Sequence, residues 1–241
     1  MIKRSPSLTE QTKTHIKQLI TDDAFVNGRI PSETILADQF GVSRTTVRDA
    51  LGRLEHEGAI YRKQGAGTFV NTAGLQIKSK LDEIWSYEEM LQAHGYAPSV
   101  KILSANVEKV DAETAVSLNL TPDDKVLIVK KLFLENDKPV ILTHNIIPVH
   151  LIDGAYTDED LLLPVYEFLG ENGRLQLSYY VSEIIPIIVS DELSDILQIP
   201  AQSPLITFNE IGHNENNIPI LKSKSGFRDD VIRLRLIRRR Q

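Results

Sequence analysis

Between Ser43 and Leu54 the chain reads Ser-Arg-Thr-Thr-Val-Arg-Asp-Ala-Leu-Gly-Arg-Leu. Val47, Ala50, Leu51 and Leu54 fall at i, i+3, i+4 and i+7, which commits one face of a helix to a core. At about 100° per residue, Thr45, Arg48, Asp49 and Gly52 turn the opposite way, flanked by Arg44. Ser43 is the expected N-cap. Two guanidinium groups and a hydroxyl therefore stand outward near the helix N-terminus. A guanidinium grips guanine through two parallel hydrogen bonds, and a threonine bonds a base or packs on a thymine methyl. The positive end of the helix favours a phosphate beside Ser43. This is the chemistry of a helix laid into a major groove, which is read from that end.

A second group follows at Ile60-Tyr61-Arg62-Lys63-Gln64-Gly65-Ala66-Gly67-Thr68-Phe69-Val70. Two short strands around a Gly-x-Gly tip make a β-hairpin. With its basic tip it reads as a wing, able to lie along phosphates or enter a minor groove. Catalytic constellations are not in view. His144 and His150 are six apart and His213 is distant, so no metal-ligand spacing emerges. Asp22-Asp23, Asp123-Asp124 and Asp229-Asp230 read as helix caps or turns. With no nucleophile–base motif, phosphate loop or cysteine, the expectation is a non-enzyme without metal or cofactor.

The elements that must hold these residues are legible nearby. Helix one runs roughly from Ser7 to Phe25, with Ile16, Leu19 and Ile20 at helical spacing, and Asn27-Gly28 stops it. Helix two starts at Pro31-Ser32, with Ser32 as N-cap and Ile35, Leu36 and Phe40 inward, and ends at Gly41. Only Val42 separates that glycine from Ser43. Two helices joined by so short a turn are a helix-turn-helix.

Beyond Val70, residues Asn71 to about Lys80 read as a linker. Strands follow at Val100–Val110, Val126–Leu134, Val140–Ile147, Leu175–Val189, Leu205–Ile211, Ile218–Ser225 and Val231–Ile237. Helices are expected from Asp111 to Leu118, Asp158 to Leu169 and Ser190 to Leu197. A weak repeat runs through this part. Leu118-Asn119-Leu120 precedes a strand, an Asn-rich turn, Pro139 and a strand; Leu197-Gln198-Ile199 precedes a strand, an Asn-rich turn, Pro219 and a strand. Two such halves imply one mixed sheet with pseudo-twofold symmetry and a pocket between the halves.

The 241 residues suit two domains, and 41% hydrophobic with 25% charged residues is ordinary globular composition. Net charge is −6. The first 73 residues hold ten basic and eight acidic groups, a net of +2, so −8 falls on the remainder. The acidic bulk thus lies away from the part that would meet phosphates. No apolar run approaches a membrane span and no signal core leads the chain, which fits a cytoplasmic protein. The basic Arg238-Arg239-Arg240 tail is read as a solvated terminus.

Pro31-Ser32-Glu33, Leu36-Ala37, Val42 to Arg48, Ala50-Leu51, Leu54, Glu57-Gly58 and Gly65 to Val70 resemble the GntR family of regulators. The resemblance covers nearly all of residues 8–71. It implies that Arg44, Thr45, Thr46 and Arg48 bind operator DNA, with Gly65 and neighbouring Gln64 at the wing tip. Many relatives carry an arginine after the Pro-Ser-Glu triplet; here it is Thr34, which leaves one expected base or phosphate contact weakened or missing.

The remainder is similar to the effector domain of the HutC branch of that family, called UTRA, which has a chorismate-lyase-like fold. The likeness rests on Ser86-Tyr87-Glu88-Glu89-Met90, Gly95, Pro98, Asn136-Asp137-Lys138-Pro139, Pro148, Tyr166 and Phe227-Arg228-Asp229-Asp230. It implies an α+β protein: a winged helix-turn-helix over residues 1–71, a linker over 72–80, and over 81–241 a mixed sheet with flanking helices that binds a small-molecule effector and forms a homodimer. The pocket would be lined by Ser86, Tyr87, Lys131, Phe133, Thr143, Tyr166, Leu221 and Phe227. Sugar-phosphate-binding relatives tend to have arginines at the Lys131 and Phe133 positions and glutamates at those of Thr143 and Leu221. Loss of the guanidinium fork points to a less polar effector, with one anionic group held by Lys131 and the Ser86 hydroxyl.

Overall fold

The computed structural model describes residues 6–75 and 84–235 and divides into two compact units. In the first, α1 (Leu8–Thr21) is capped by Ser7, whose hydroxyl accepts from Glu10 N. The helix ends before Asn27-Gly28: Asp22 is its C-cap and Asp23 turns to a positive φ. Next come β1 (Arg29–Ile30), α2 (Glu33–Phe40) and α3 (Arg44–His56). Ser32 caps α2, and Gly41 closes it in the left-handed region that glycine enters without strain. Ser43 caps α3 by accepting from Thr46 N. Val47, Ala50, Leu51 and Leu54 are buried with Ile16, Ile20 and Leu36 in one core. Ile35 corrects the sequence reading: it is 49% exposed, because α2 turns Leu36 and Ala37 inward instead.

The hairpin pairs β2 (Ile60–Lys63) with β3 (Gly67–Val70), and β1 adds a third strand on the β3 side. Two residues of β1 were too few to show a period in the sequence. The stretch expected as linker begins with a helical turn, α4 (Thr72–Leu75), in which Gly74 lies against the Gly58 carbonyl. Residues 76–80 of that stretch and the Arg238–Arg240 tail lie outside the described residues.

The second unit is one six-stranded sheet in the order β4-β5-β6-β9-β8-β7. Its strands are β4 (Pro98–Lys109), β5 (Lys125–Glu135), β6 (Lys138–Pro148), β7 (Leu177–Ile188), β8 (Pro204–Asn214) and β9 (Pro219–Phe227). Every pairing is antiparallel, so the sheet is not mixed as expected. The class remains α+β. The helix expected over Asp158–Leu169 is two, α7 (Asp158–Leu162) and α8 (Val165–Asn172), broken where Pro164 denies the backbone a donor. Residues 231–234 form a turn and irregular backbone, not the start of a closing strand; 236 and 237 lie outside the described residues.

The repeat is built into this sheet. An edge strand, a helix and a hairpin occur twice: β4, α6 (Ala112–Ser117), β5 and β6, then β7, α9 (Asp191–Leu197), β8 and β9. Asp111 and Ser190 cap the two helices, and Asn119 and Gln198 leave them at φ 54° and 53°. The hairpins meet at β6–β9, where His144 faces Lys224. Aligning Pro139 with Pro219 puts the pseudo-twofold axis through that pair.

Candidate nucleic-acid interface and ligand cavity

On α3, Arg44, Thr45, Arg48 and Asp49 are exposed while the opposite face is sealed in the core. Arg48 Nε donates to Glu33 Oε2 at 3.2 Å, and the arginine side chain stays 55% exposed. Thr46 is half-buried and shares its hydroxyl with Ser43 Oγ at 2.8 Å, so it also steadies the helix start. Gln64 and Gly65 are exposed at the hairpin tip, with Gly65 at φ 72°. Sequence reasoning missed Arg29. Its Nη2 donates to the Ala66 carbonyl at 3.2 Å, pinning the wing from β1. No motif flagged it, because the β1–β3 pairing that brings it there is non-local.

The second unit holds a cavity of about 580 Å³ on one face of the sheet. Six of the eight residues expected there line it: Ser86, Tyr87, Lys131, Phe133, Thr143 and Tyr166. Two do not. Leu221 is fully buried among Leu127, Ile147 and Leu169. Phe227 lies in the core beneath the lining, its ring centroid 5.6 Å from Tyr87 and 5.0 Å from Phe208. Both are apolar groups that gain more from a packed core than from a wet wall.

Beside the expected Lys131, the lining brings two carboxylates that the sequence reading did not place there, Glu88 and Glu210. Lys131 is 3% exposed, donates to the Leu163 carbonyl at 2.6 Å, and is dragged down to about 8 by burial, against the pull of the Glu88 carboxylate. Burial raises the pKa of Glu88, partly offset by its own backbone and by Lys131. Ser86 is committed to a capping box at the start of α5 (Tyr87–Ala93), accepting from Glu89 N at 3.0 Å. The expected grip of Lys131 and Ser86 on an anion is thus opposed by a carboxylate next to the lysine and by the serine's capping role.

Glu210 lies at the other end. It is half-buried, accepts from Ser182 Oγ, and burial raises its pKa. Strand register shows why the two ends match. Lys131 pairs with Thr143 on β6, and Glu210 pairs with Ser223 on β9. The pseudo-twofold axis carries the first pair onto the second, so Lys131 and Glu210 occupy equivalent places in the two halves. They stand three strands apart, about 14 Å across the sheet. An acid amid the apolar Leu205-Ile206-Thr207-Phe208-Asn209-Glu210-Ile211 run was the available signal. Aromatic rings close the walls: Trp85, Tyr87, Phe133, Tyr166, Tyr180 and Phe208. Tyr87 donates to Ser225 Oγ at 2.7 Å, whereas Thr143 Oγ1 is buried with no partner among the described residues.

Residues 8–70 match the model of the gntR family of bacterial regulatory proteins, and residues 93–233 match the UTRA domain. The chain is 27% identical over 233 residues to the HTH-type transcriptional repressor NagR of Bacillus subtilis, covering 95% of this chain and 93% of that one. It is also 27% identical over 212 residues to the mannosyl-D-glycerate transport/metabolism system repressor MngR of Escherichia coli, covering 88% and 87%. Among solved structures, a possible transcriptional regulator YydK from Bacillus subtilis superposes with a TM-score of 0.78 at 20% identity, covering 98% of this chain and all of that one. PhnF from Mycobacterium smegmatis gives 0.61 at 20% identity, covering 95% and all.

Proposed function

Because the chain belongs to the gntR family of bacterial regulatory proteins and carries a UTRA domain, we propose that this DNA-binding transcription regulator is a repressor that releases its operator when a small molecule fills the C-terminal cavity. The observation that carries the reading is α3, whose Arg44, Thr45 and Arg48 face outward from a buried apolar stripe. Arg44, Thr45, Thr46 and Arg48 meet base edges and phosphates, and Gln64 and Gly65 follow the backbone. The working parts are residues 1–71 for DNA, 72–80 as connector and 81–241 for effector and pairing, in the cytoplasm where the DNA is.

Two copies pair through the C-terminal units and meet two half-sites of a near-palindrome. The edge strand β7 favours this: Val181, Ile184 and Ile188 are exposed on it, the kind of edge a second chain covers. Ligand acts by differential affinity for the pairing geometry that fits both half-sites and the one that does not. NagR and MngR are both called repressors, which favours release over recruitment. The test is a mobility-shift titration on DNA flanking the chain's own gene, with and without candidate metabolites, alongside sedimentation of the free protein. Retention of DNA by Arg44→Ala/Arg48→Ala, or a monomer that shifts DNA at unchanged affinity, overturns the reading.

A further inference from the structure

Resting on the cavity as the effector site, we infer that the effector is a small amine, its protonated nitrogen paired with Glu210 and enclosed by the aromatic walls. Four observations converge. First, Glu210 lines the cavity half-buried with a single serine hydroxyl as hydrogen-bond partner, and no lysine, arginine or histidine among the described residues pairs with it. A carboxylate in such a place is stabilised by a cation brought from outside.

Second, the cavity's own charges do not cancel. Lys131 is offset by Glu88 at its end, so among the described lining residues Glu210 is left as an excess negative charge. A phosphate or carboxylate would meet two acids with one partly occupied lysine. Third, Phe208 lies two residues before Glu210 on β8, Tyr180 lies two residues before Ser182, the β7 partner of Glu210, and both rings line the cavity with Tyr87. Aromatic rings lining the same cavity as a carboxylate offer quadrupoles that can hold an ammonium group. Fourth, Thr143 is 1% exposed at the cavity and its Oγ1 has no partner among the described residues, a group a ligand hydroxyl or carbonyl would satisfy.

The amine class separates this cavity from one built for a phosphate ester. No guanidinium stands among the described lining residues, and the one lysine there is buried and already donates to a carbonyl.

The experiment uses the full chain and three matched sets of probes: tyramine, phenethylamine and tryptamine, each with the alcohol and the carboxylic acid of the same ring. Thermal shift and calorimetry at millimolar concentration read binding to the parent, to Glu210→Gln and to Ser223→Phe, which fills the floor of the cavity; Ser178→Trp at its rim replaces the latter if it melts below the parent. The expected result is that amines bind best and that Glu210→Gln weakens them roughly tenfold or more. Alcohols or acids binding as well as the amines, with the response abolished by the filling variant, overturns the amine and keeps the cavity. A response untouched by the filling variant overturns both. No response to any amine overturns the amine, and the operator-release titration then judges the cavity by itself.

Discussion

Arg48 Nε on α3 lies 3.2 Å from Oε2 of Glu33 at the head of α2, binding the two helices of the helix-turn-helix at their solvent edge. Both side chains keep access to water, and such a pair is worth only about 0–1 kcal/mol. A phosphate or guanine therefore outcompetes the carboxylate without unfolding anything. Arg48→Ala is expected to weaken operator binding by about 1–3 kcal/mol while leaving the melting temperature nearly unchanged. Glu33→Gln frees the arginine and strengthens binding slightly, most at low salt. Fluorescence anisotropy at two salt concentrations checks both; equal affinities for parent and Arg48→Ala would remove Arg48 from the interface.

Arg228 is 6% exposed and grips Asp230 with two bonds, 3.0 and 2.8 Å, while its Nη1 reaches the carbonyls of Pro139 and Leu197. These bonds hold Asp230 at about 2, below the roughly 3.9 of an unfolded aspartate. A depressed carboxylate stabilises the fold above the unfolded value and loses that contribution as pH falls toward the folded one. Urea unfolding should therefore show stability falling between about pH 4 and pH 2, with a shallower fall in Asp230→Asn. Arg228→Ala orphans two buried carbonyls at about 1–3 kcal/mol each. An acid limb identical in parent and Asp230→Asn would discount the linkage.

Gly74 and Gly52 form a matched pair of glycine tests. A Cβ on Gly74 would collide with the Gly58 carbonyl and Asn71, whereas one on Gly52 meets open space in the middle of α3. Gly74→Ala should cost about 1–3 kcal/mol by overpacking. Gly52→Ala should gain up to about 1 kcal/mol from helix propensity. Thermal melts of the full chain decide, and a Gly74→Ala melt at or above the parent contradicts the packing described.

Thr143 supplies a prediction in the free protein. Its hydroxyl is buried without a partner among the described residues, so Thr143→Val removes a desolvated donor with little change of shape. The ligand-free protein should gain about 1 kcal/mol. A loss of that size in chemical denaturation would mean the hydroxyl has a partner after all.

The N-terminal unit was the most legible part of the chain because its signals are local. Ser32 and Ser43 announce caps, Gly41 a left-handed exit, and four apolar residues at helical spacing a buried stripe. Ile35 misled because an apolar residue one position off the stripe looks like part of it. In the second unit the repeat foretold the paired halves, but how β4, β7 and the two hairpins pair with one another is non-local and no single segment states it. The cavity was half legible. Lys131, Thr143 and Tyr166 came through resemblance, while Glu210 and Tyr180 depend on which strands pair, information that lies between segments and not within them.

A twofold floor offers an incoming molecule two equivalent ways to lie, head to tail or tail to head. Placing a base at Lys131 and an acid at Glu210 breaks that tie. Duplication would have supplied a symmetrical cradle, and divergence at one matched position makes it a compass, so that only one end of a polar guest is welcome at each side.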